Sequence, residues 1–554
     1  MTDLEKIELS PHYYRDNFLR LCDTVEAQYE DILTNAERAV LTCFRQLEFK
    51  AQCLYVRLVS RTGPWFRESK LEYQELGAIA PILNELIDCK MVLEADGLTL
   101  EVVTRLYTRK ELQQAFFPDV PPGRFASKAT LLCAIEALSL DEQKLLQTLR
   151  GCDSQRLIAP LGAELVANLQ ILFFGNRHQS LTDFVLEDLG VTRYFSYQLD
   201  RNHRLFSNRD AFEEYLFCAA LSDEHRVLLE AGQRDRLPEL AEQALALNIR
   251  FASSENRWHR LCNALARDLE RQEHWETALQ LYQRSKLHPA RERRARVLER
   301  CGDWAAADTL CTHMLLDPWC EAEQEAAARI QPRVKRKLGG SRQARQRDAF
   351  TNVTLSLPAG DKSVEHLAAA QLLDQWQAVH YVENSLMSSL FGLAFWEQIF
   401  EAVPGAFHHP YQSAPADMYE RTFCARRQNS IATRLDQLRS SNLADILRQA
   451  YQRYQFYRCN WMDWRRINVE LVEAASRTIP AAHLLAVWER ILFDPLENRR
   501  GFPDLIALGS RAGDYCMIEV KGPGDALQDN QKRWLRYFQT HQIPAQVAWV
   551  EWTT

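Results

Sequence analysis

The chain has 554 residues, of which 46% are hydrophobic and 25% charged, and its formal net charge is −7. This length excludes organisation around one small hydrophobic core, and no apolar run of roughly eighteen residues is present to form a membrane span. The negative net charge excludes a surface that is basic throughout, but it is compatible with a local basic groove for nucleic acid.

Residues 1–60 are predicted to form an N-terminal helical region, because apolar residues recur there at mixed three- and four-residue spacing. The start of the chain is charged and lacks the apolar core of a signal peptide, so we expect no secretory leader. The 14 cysteines include no CxxC pair and are therefore expected to be free thiols in a reducing compartment.

A break in the helical pattern follows at residues 58–71, and residues 61–225 are interpreted as a helical DNA-binding region. The break carries two aromatic residues that we expect to be exposed and three cations that are candidate DNA contacts: Trp65, Phe66, Arg61, Arg67 and Lys70.

Residues 99–138 look like a small DNA-binding module of the SAP type. One helix is predicted over residues 100–117, a loop rich in proline and glycine follows, and a second helix begins with Ser127 as its N-cap. Three basic residues surround the loop and are candidate DNA contacts: Lys110, Arg124 and Lys128. The alternative, which this motif alone favours, is an ordinary helical hairpin with solvated lysines, because such helix pairs are common.

Residues 226–362 are interpreted as a helical repeat region. The segments that start at Leu269 and Leu298 align Trp275 with Trp304, a pattern similar to tetratricopeptide-like arrays. Such arrays bury a continuous core between stacked helix pairs and offer a surface for a possible protein partner.

The segment 333–347 is rich in arginine and lysine, contains no acidic residue and includes Gly339 and Gly340, which interrupt helices. We interpret it as a basic linker. It is a flexible arm that contacts the phosphate backbone, a solvated connection between domains, or, as a third option, a nuclear localisation signal.

A last domain is expected over residues 363–554, helical until near residue 490 and α/β afterwards. Two apolar runs, DLIALG and YCMIEVK, flank a turn at residues 510–514 and predict a β-hairpin. With Ala512 at its centre, Asp504 lies opposite Val520.

This hairpin places the Asp504 carboxylate beside Glu519 and Lys521. Side chains two apart on a strand share a face, so Glu519 and Lys521 point the same way, while Ile518 and Val520 point into the core. Two carboxylates and one ammonium group then converge at the end of one strand.

Such a cluster predicts a metal-dependent phosphodiesterase. Like charges are costly to bury together unless a cation joins them, and Mg²⁺ or Mn²⁺ prefers hard oxygen ligands. Asp504, Glu519 and the main-chain carbonyl of Val520 are therefore candidate metal ligands. Lys521 is placed to hold the attacking water or stabilise developing charge, and Gln531, early in the following helix, can point back to the site.

The same residues carry a resemblance. Asp504 in GFPDL and Glu519 and Lys521 in IEVKGPGDALQDNQKRWL match the PD-(D/E)xK signature and look like its VRR-NUC subgroup. Residues 380–400, HYVENSLMSSLFGLAFWEQIF, resemble the helix that opens the nuclease domain of the Fanconi-anaemia-associated nuclease family, and residues 70–86 and 180–194 are similar to its SAP-containing region.

The resemblance implies a multidomain, mainly α-helical protein with a C-terminal α/β restriction-endonuclease-like domain. The chain length corresponds to the compact bacterial form, without the extra N-terminal zinc-finger region of larger members. The family also implies a cytoplasmic, nucleoid-associated protein in a bacterium and a nuclear one in a eukaryote, with no membrane association.

The implied activity is that of a structure-selective DNA nuclease. It would use Mg²⁺ or Mn²⁺, cut 5′ flaps or branched duplexes, digest DNA from 5′ to 3′ and act in interstrand crosslink repair. The resemblance brings Glu383 into the metal site. Asn530 stands where it implies a basic residue for the DNA 5′ end, so neighbouring cations are expected to serve instead: Arg499, Arg500 and Lys532.

Two other functions remain open at this point. A non-catalytic DNA-repair scaffold would bind branched DNA and partners without cleaving, but the intact set of Asp504, Glu519 and Lys521 argues against it. An RNA-directed or generic resolvase-like nuclease would share the site, but the long helical region favours an enzyme that grips duplex DNA.

Overall fold

The computed structural model describes residues 11–61, 63–121, 124–151, 156–179, 193–341, 348–358 and 360–553. The chain divides into two compact units, residues 1–191 and 192–554. None of the helices in the described ranges combines the length and apolarity needed to cross a bilayer. Two parts of the sequence interpretation fall outside these ranges: most of the family-like segment 180–194 and residues 342–347 of the basic linker.

The first unit is helical with a small antiparallel sheet, as expected for its N-terminal part. Its described helices are α1 Tyr13–Tyr29, α2 Asn35–Gln46, α3 Phe49–Val59, α4 Ile79–Asp88, α5 Leu100–Leu106, α6 Arg109–Phe116, α7 Lys128–Glu136, α8 Glu142–Arg150 and α9 Ala163–Phe174. The sheet has the order β1-β3-β2, with strands β1 Phe66–Arg67, β2 Val92–Glu94 and β3 Leu157–Pro160.

The single helix predicted over residues 100–117 is in fact two helices, α5 and α6. Tyr107 is extended, and Thr108 starts α6 with a capping box, in which the Glu111 carboxylate accepts a 2.7 Å hydrogen bond from the Thr108 N–H and the Thr108 hydroxyl caps the Glu111 N–H. The Thr-x-x-Glu spacing is a helix-start signal that outweighs the continuous periodicity. Ser127 caps α7, as predicted.

The second unit begins with an array of antiparallel helices. They are α10 Arg209–Glu230, α11 Leu237–Ala246, α12 Ala252–Arg271, α13 Trp275–Arg284, α14 Ala290–Cys301, α15 Trp304–Leu316 and α16 Glu321–Lys337. The domain boundary expected between residues 225 and 226 falls inside α10, because buried His225 and Leu228 continue the packed face of that helix.

The aligned tryptophans of the repeat occupy equivalent places. Trp275 begins α13 and Trp304 begins α15, and each packs beside a fully buried alanine, Ala278 or Ala307, in successive hydrophobic cores of the array. The internal repeat therefore corresponds to a repeated helix–turn–helix packing.

The expected basic linker begins inside a helix. α16 continues to Lys337 because Ile330 and Val334 are fully buried on its apolar face, and Arg333 pairs with Glu299 of α14 at 2.9 Å. Local charge density did not reveal this amphipathic turn. Only residues after Lys337 can act as a connection.

The C-terminal part of the second unit is a five-stranded sheet packed among helices. The strands, in the order β5-β10-β9-β8-β6, are β5 Asn352–Pro358, β6 Ala378–Tyr381, β8 Leu505–Leu508, β9 Tyr515–Lys521 and β10 Ala545–Thr553. β10 runs parallel to β5 and β9, whereas β8 is antiparallel to β9 and β6. β5 precedes the expected domain start at residue 363, so that boundary was set too late.

Helices cover both faces of this sheet. They are α17 Val364–Leu372, α18 Leu386–Ala394, α19 Trp396–Ile399, α20 Thr422–Arg426, α21 Gln428–Ser440, α22 Leu443–Tyr454, α23 Val469–Thr478, α24 Ala481–Phe493 and α25 Asp529–Thr540. A short strand, β7 Tyr457–Arg458, pairs in parallel with β4 Arg193–Tyr194. Ile518 and Val520 lie in the core that includes α17, whereas Met517 faces the larger helical core.

The register of the β8–β9 hairpin differs by one residue from the prediction. Leu505 pairs with Ile518, and the Gly509 N–H donates to the Asp514 carbonyl at 2.7 Å, which closes a turn of four residues, 510–513. Asp504 therefore continues the ladder opposite Glu519 rather than Val520. The predicted turn was one residue too long at its C-terminal end.

Candidate active site

Asp504 and Glu519 meet at the end of strands β8 and β9. Asp504 precedes β8, its carbonyl accepts a 2.8 Å hydrogen bond from the Val382 N–H, and its carboxylate accepts one of 2.9 Å from the Val520 N–H. These backbone contacts fix the Asp504 side chain beside β9. Asp504 is 9% exposed and Glu519 only 1%, so the two carboxylates sit at the floor of the domain rather than on its surface.

Glu519 has one satisfied and one unsatisfied oxygen. Its Oε1 accepts hydrogen bonds from Lys521 Nζ at 2.9 Å and from Gln531 Nε2 at 2.5 Å. Its Oε2 is buried and has no partner. A buried carboxylate oxygen without a donor is costly, so its position calls for a proton or a cation.

Burial shapes the protonation of both carboxyl groups. Burial first, and then the neighbouring Asp504 carboxylate, raises the pKa of Glu519 to about 8, although Lys521 opposes the shift. Burial also raises the pKa of Asp504 to about 6, against the lowering effects of the Val520 N–H and Lys521. Carboxyl groups with raised pKa values ionise fully when a cation joins them.

Helix α25 brings Gln531 to the site in the orientation that the sequence suggested. Gln531 is its third residue, and the side-chain oxygen of Gln531 accepts from the Gln528 N–H at 2.8 Å while its amide group donates to Glu519. Trp534 anchors the helix, because its ring stacks on Phe502 with centroids 4.2 Å apart.

Gly501 permits the close approach of this helix to the segment that leads to Asp504. Its φ is +85°, and a Cβ at this position would lie 2.8 Å from the backbone carbon of Asn530. Any side chain here would separate the two elements, which explains the glycine in GFPDL.

Glu383 follows β6 and faces the same groove. Its Oε2 accepts a 2.5 Å hydrogen bond from the Tyr381 hydroxyl, and the Asn384 amide donates to its other oxygen at 3.4 Å. Asn384 adopts a left-handed conformation with φ of 52°, and its side-chain oxygen accepts from the Phe502 N–H at 3.2 Å. The Glu383 charge makes a minor contribution to the raised pKa values of Asp504 and Glu519.

The donor set fits a hard divalent cation. Among the described residues, no group of three or more carboxylate, histidine or cysteine side chains already surrounds a common point. The unpartnered oxygen of Glu519, the adjacent Asp504 carboxylate and exposed Glu383 nevertheless supply the oxygen chemistry that Mg²⁺ and Mn²⁺ require. The positions of Asp504, Glu519 and Glu383 are therefore compatible with metal binding.

A groove of about 480 Å³ is lined by Glu383 and Gln531, and the Gln531 amide connects it to Glu519. Its lining includes Arg500 beside Glu383 and Gln531, and a second wall segment, residues 460–463. The sequence interpretation missed this second wall. Its only local signal is the run Asn-Trp-Met-Asp after β7, which matches no motif used above.

The three cations proposed for the DNA 5′ end are placed differently from one another. Arg500 is exposed and lines the groove, and Arg499 lines it with its guanidinium 4.2 Å from the centre of the Tyr419 ring. Lys532 lies 3.7 Å from Asp529 on the surface of α25 and is absent from the groove lining, whereas Asn530 is part of it.

In the first unit, Arg61, Arg67 and Lys70 line a second groove of about 600 Å³ together with Trp65. Arg67 has a structural role, because its guanidinium forms an ion pair with Glu111 at 2.6 Å. Arg61 donates to the Tyr73 hydroxyl at 3.2 Å, and Lys70 is exposed.

One aromatic residue of this segment is not where the sequence suggested. Phe66 is buried, contrary to expectation, because it lies in the sheet as the partner of Ile158.

The three candidate DNA contacts of the SAP-like segment also differ in exposure. Lys110 and Arg124 are exposed, as a DNA contact requires. Lys128 instead donates to the carbonyls of Thr104 and Tyr107, both at 2.6 Å, and so satisfies the C-terminal end of α5. Its position is explained by helix capping.

Comparison with known proteins gives the family. The family model described as FAN1, HTH domain matches residues 12–93, and the VRR-NUC domain model matches residues 438–552. The first match crosses the boundary expected after residue 60, so a helix-turn-helix domain was missed there. The second covers Asp504, Glu519, Lys521 and Gln531.

Relatives match along the whole chain. A Fanconi-associated nuclease 1 homologue of Pseudomonas aeruginosa is 35% identical over 98% of this chain and 96% of its own length. The Arabidopsis thaliana homologue is 25% identical over 94% of this chain, which spans 65% of that relative. A crystal structure of paFAN1 bound to DNA with a 2-nucleotide 5′ flap and a gap superposes with a TM-score of 0.81 at 34% identity, covering 99% of both chains. The chain therefore belongs to the Fanconi-associated nuclease 1 family, as its motifs predicted.

Proposed function

We propose that this protein is a structure-selective DNA nuclease that hydrolyses phosphodiesters at 5′ flaps. The observation that carries the proposal is the convergence of Asp504, Glu519, Lys521 and Gln531, with Gln531 lining an open groove and one oxygen of Glu519 left without a partner. The solved relative that superposes over its full length holds flap DNA, which supports the substrate.

The proposed metal ligands are Glu383, Asp504, Glu519 and the main-chain carbonyl of Val520. A bound Mg²⁺ or Mn²⁺ would supply an activated water and neutralise charge on the phosphodiester. Asp504 is held for this role by the Val520 N–H, and Glu519 is oriented by Gln531. The burial of both carboxylates keeps them from swinging into solvent.

Lys521 has two roles in this proposal. Its ammonium group lies 2.9 Å from Glu519, so it favours the ionised form of that carboxyl group. Because the side chain is on the same strand face as Glu519, it can also hold the attacking water or stabilise charge in the transition state.

The remaining features of the activity are proposed on family membership. They are digestion from 5′ to 3′, action in interstrand crosslink repair and capture of the DNA 5′ end by Arg499 and Arg500, with Lys532 as an outer contact. Duplex DNA would be gripped by exposed cations of the first unit, which include Lys70, Lys110 and Arg124.

The test is cleavage of a labelled 5′-flap duplex by the full-length protein with Mg²⁺, Mn²⁺ or Ca²⁺, alongside Asp504→Asn. The asparagine keeps an oxygen that can accept from the Val520 N–H, so the fold is retained while the charge is lost. We expect cleavage with Mg²⁺ or Mn²⁺ by the wild type and none by the variant. Equal cleavage by both would remove Asp504 from the site, and no metal-dependent cleavage by the wild type would refute the nuclease activity.

Substrate preference is measured in the same assay. Flap, fork, single-stranded and RNA substrates are compared at equal concentration, and we expect the flap to be cut fastest. A preference for RNA or for unbranched single strands would overturn the structure selectivity but leave the site assignment intact.

A further inference from the structure

A buried polar cluster joins the last helix of the array to the nuclease site. Its centre is Glu321, the first residue of α16, which is 7% exposed. Glu321 Oε1 accepts from Asn498 Nδ2 at 3.1 Å and from Arg490 Nη2 at 3.0 Å, and the Glu321 N–H donates to Asp494 Oδ2 at 3.1 Å. The array thus reaches the nuclease domain through charged and amide groups that are out of solvent.

One arm of the cluster holds the segment that leads to Asp504. Asn498 is 1% exposed and also donates to the Arg490 carbonyl, at 2.9 Å. It immediately precedes Arg499 and Arg500, which line the catalytic groove. The Arg500 carbonyl in turn accepts from Trp534 Nε1 at 3.0 Å, so residues 498–500 are held at both ends.

The other arm holds the helix that carries Gln531. The Arg490 guanidinium lies over the rings of Trp534 and Tyr537, 4.8 Å and 4.3 Å from their centres, and donates to the Arg533 carbonyl at 3.2 Å. Arg490 is 8% exposed, and Glu321 is its ion-pair partner. Removal of this carboxylate would leave a buried cation beside α25, and such a charge is costly to accommodate.

We propose that Glu321 is a positioning residue for the nuclease site, through which the helical array aligns the segment 498–504 and helix α25. The inference rests on the proposed nuclease function for its kinetic test. Neither Glu321 nor Asn498 reaches the groove lining, so their action is through the residues that do.

Asp504 and Gln531 sit on two separate elements, and the catalytic arrangement needs both in register. A displacement of about 1 Å in a supporting shell can reduce a rate on the order of 10²-fold. Glu321 bonds directly to Asn498 in the first of these elements and reaches α25 through Arg490 of α24, so a movement of α16 is transmitted to both.

Three variants separate positioning from simple stability. Glu321→Gln keeps the Oε1 acceptor for Asn498 and Arg490 but removes the charge, whereas Glu321→Ala removes the acceptor. Glu299→Ala is the matched control, because it breaks an ion pair with Arg333 of the same helix on the array surface. All are compared as full-length proteins after thermal unfolding shows that each is folded at the assay temperature.

We expect Glu321→Ala to lower kcat on 5′-flap DNA by about 10- to 100-fold with little change in KM. Glu321→Gln retains kcat within a few fold, although it unfolds at a lower temperature, and Glu299→Ala behaves as the wild type. Asn498→Ala reproduces the loss of Glu321→Ala, and the double variant is no worse than either single one, because both act through one contact.

A second measurement does not depend on activity. Amide hydrogen exchange of residues 494–504 in the metal-free protein should become faster in Glu321→Ala and stay unchanged in Glu299→Ala. Unchanged exchange, or a kcat of Glu321→Ala equal to that of Glu321→Gln, would overturn the proposal. If the wild type cleaves no flap, the proposed nuclease function fails, while the exchange result still decides the role of Glu321.

Discussion

The nuclease sheet and the first unit both contain residues to which the sequence assigned a function, but the two regions differ in the burial and the partners of those residues. In the sheet, Asp504, Glu519 and Lys521 are each less than a tenth exposed and converge. In the first unit, Arg67 and Lys128 are bound to a carboxylate and to carbonyls, whereas Lys110 and Arg124 are free to meet solvent. Buried polar groups that converge around an unsatisfied oxygen indicate a catalytic or metal-binding site. A basic side chain indicates a DNA contact only when it is exposed and is not already paired within the fold.

The largest effect expected from this comparison concerns Lys521. Replacement by alanine removes a buried ammonium group 2.9 Å from Glu519, and kcat on flap DNA should fall on the order of 10²- to 10³-fold. The control is Lys362→Ala, since Lys362 is an exposed lysine in the same unit. Equal rates for the two variants would show that burial of the cation does not matter.

A second prediction uses the raised pKa of Glu519. Its pKa is about 8 in the folded protein against an ordinary value of 4.5, so its neutral form stabilises the fold. Without metal, this contribution is fully present below about pH 4.5 and is lost as the pH rises through about 8.

The measurement is thermal unfolding against pH, with and without Mg²⁺. We expect Glu519→Gln to flatten the decline between these limits and to abolish stabilisation by the metal. A pH dependence identical in the variant and the wild type would contradict the buried-carboxylate explanation.

A third prediction addresses the exposed cations. Lys110→Ala and Arg124→Ala should each reduce the slope of log affinity for flap DNA against log salt concentration by about 1, as loss of one phosphate contact requires. Lys144→Ala, which changes an exposed lysine of α8 in the same unit, is the control. A slope change of the same size in the control would remove Lys110 and Arg124 from the DNA contacts.

The smallest expected effect tests the break between α5 and α6. Thr108→Ala removes the capping box that starts α6 and should cost about 1 kcal/mol in the free energy of unfolding. Thr42→Ala serves for comparison, since the Thr42 hydroxyl donates to the Arg38 carbonyl of its own helix at 2.9 Å and caps no helix start. If both changes were neutral, α6 would not depend on its cap.

The hairpin shows what the sequence could predict of the site. Strand alternation and the PD-(D/E)xK spacing were enough to bring Asp504, Glu519 and Lys521 together, because those contacts are local. The predicted register of the hairpin was wrong by one residue. The end of the ladder depends on the hydrogen bond between the Gly509 N–H and the Asp514 carbonyl, which the sequence pattern does not reveal.

Contacts distant in sequence were beyond such reasoning. Glu383 came from family resemblance alone, because the pairing of β6 with β8 joins segments more than a hundred residues apart. The wall at residues 460–463 and the buried cluster around Glu321 carry no periodicity or motif. Their positions depend on how helices pack, which no local pattern encodes.

The pairing of β10 has a consequence for the order of synthesis. β10 lies between β5 and β9, yet its residues, Ala545–Thr553, are translated after every proposed catalytic residue. During vectorial synthesis the sheet lacks the strand that joins β5 to β9 until these residues have left the ribosome. A nascent chain that already contains Asp504, Glu519 and Gln531 therefore still lacks the strand that pairs with β9 and joins it to β5.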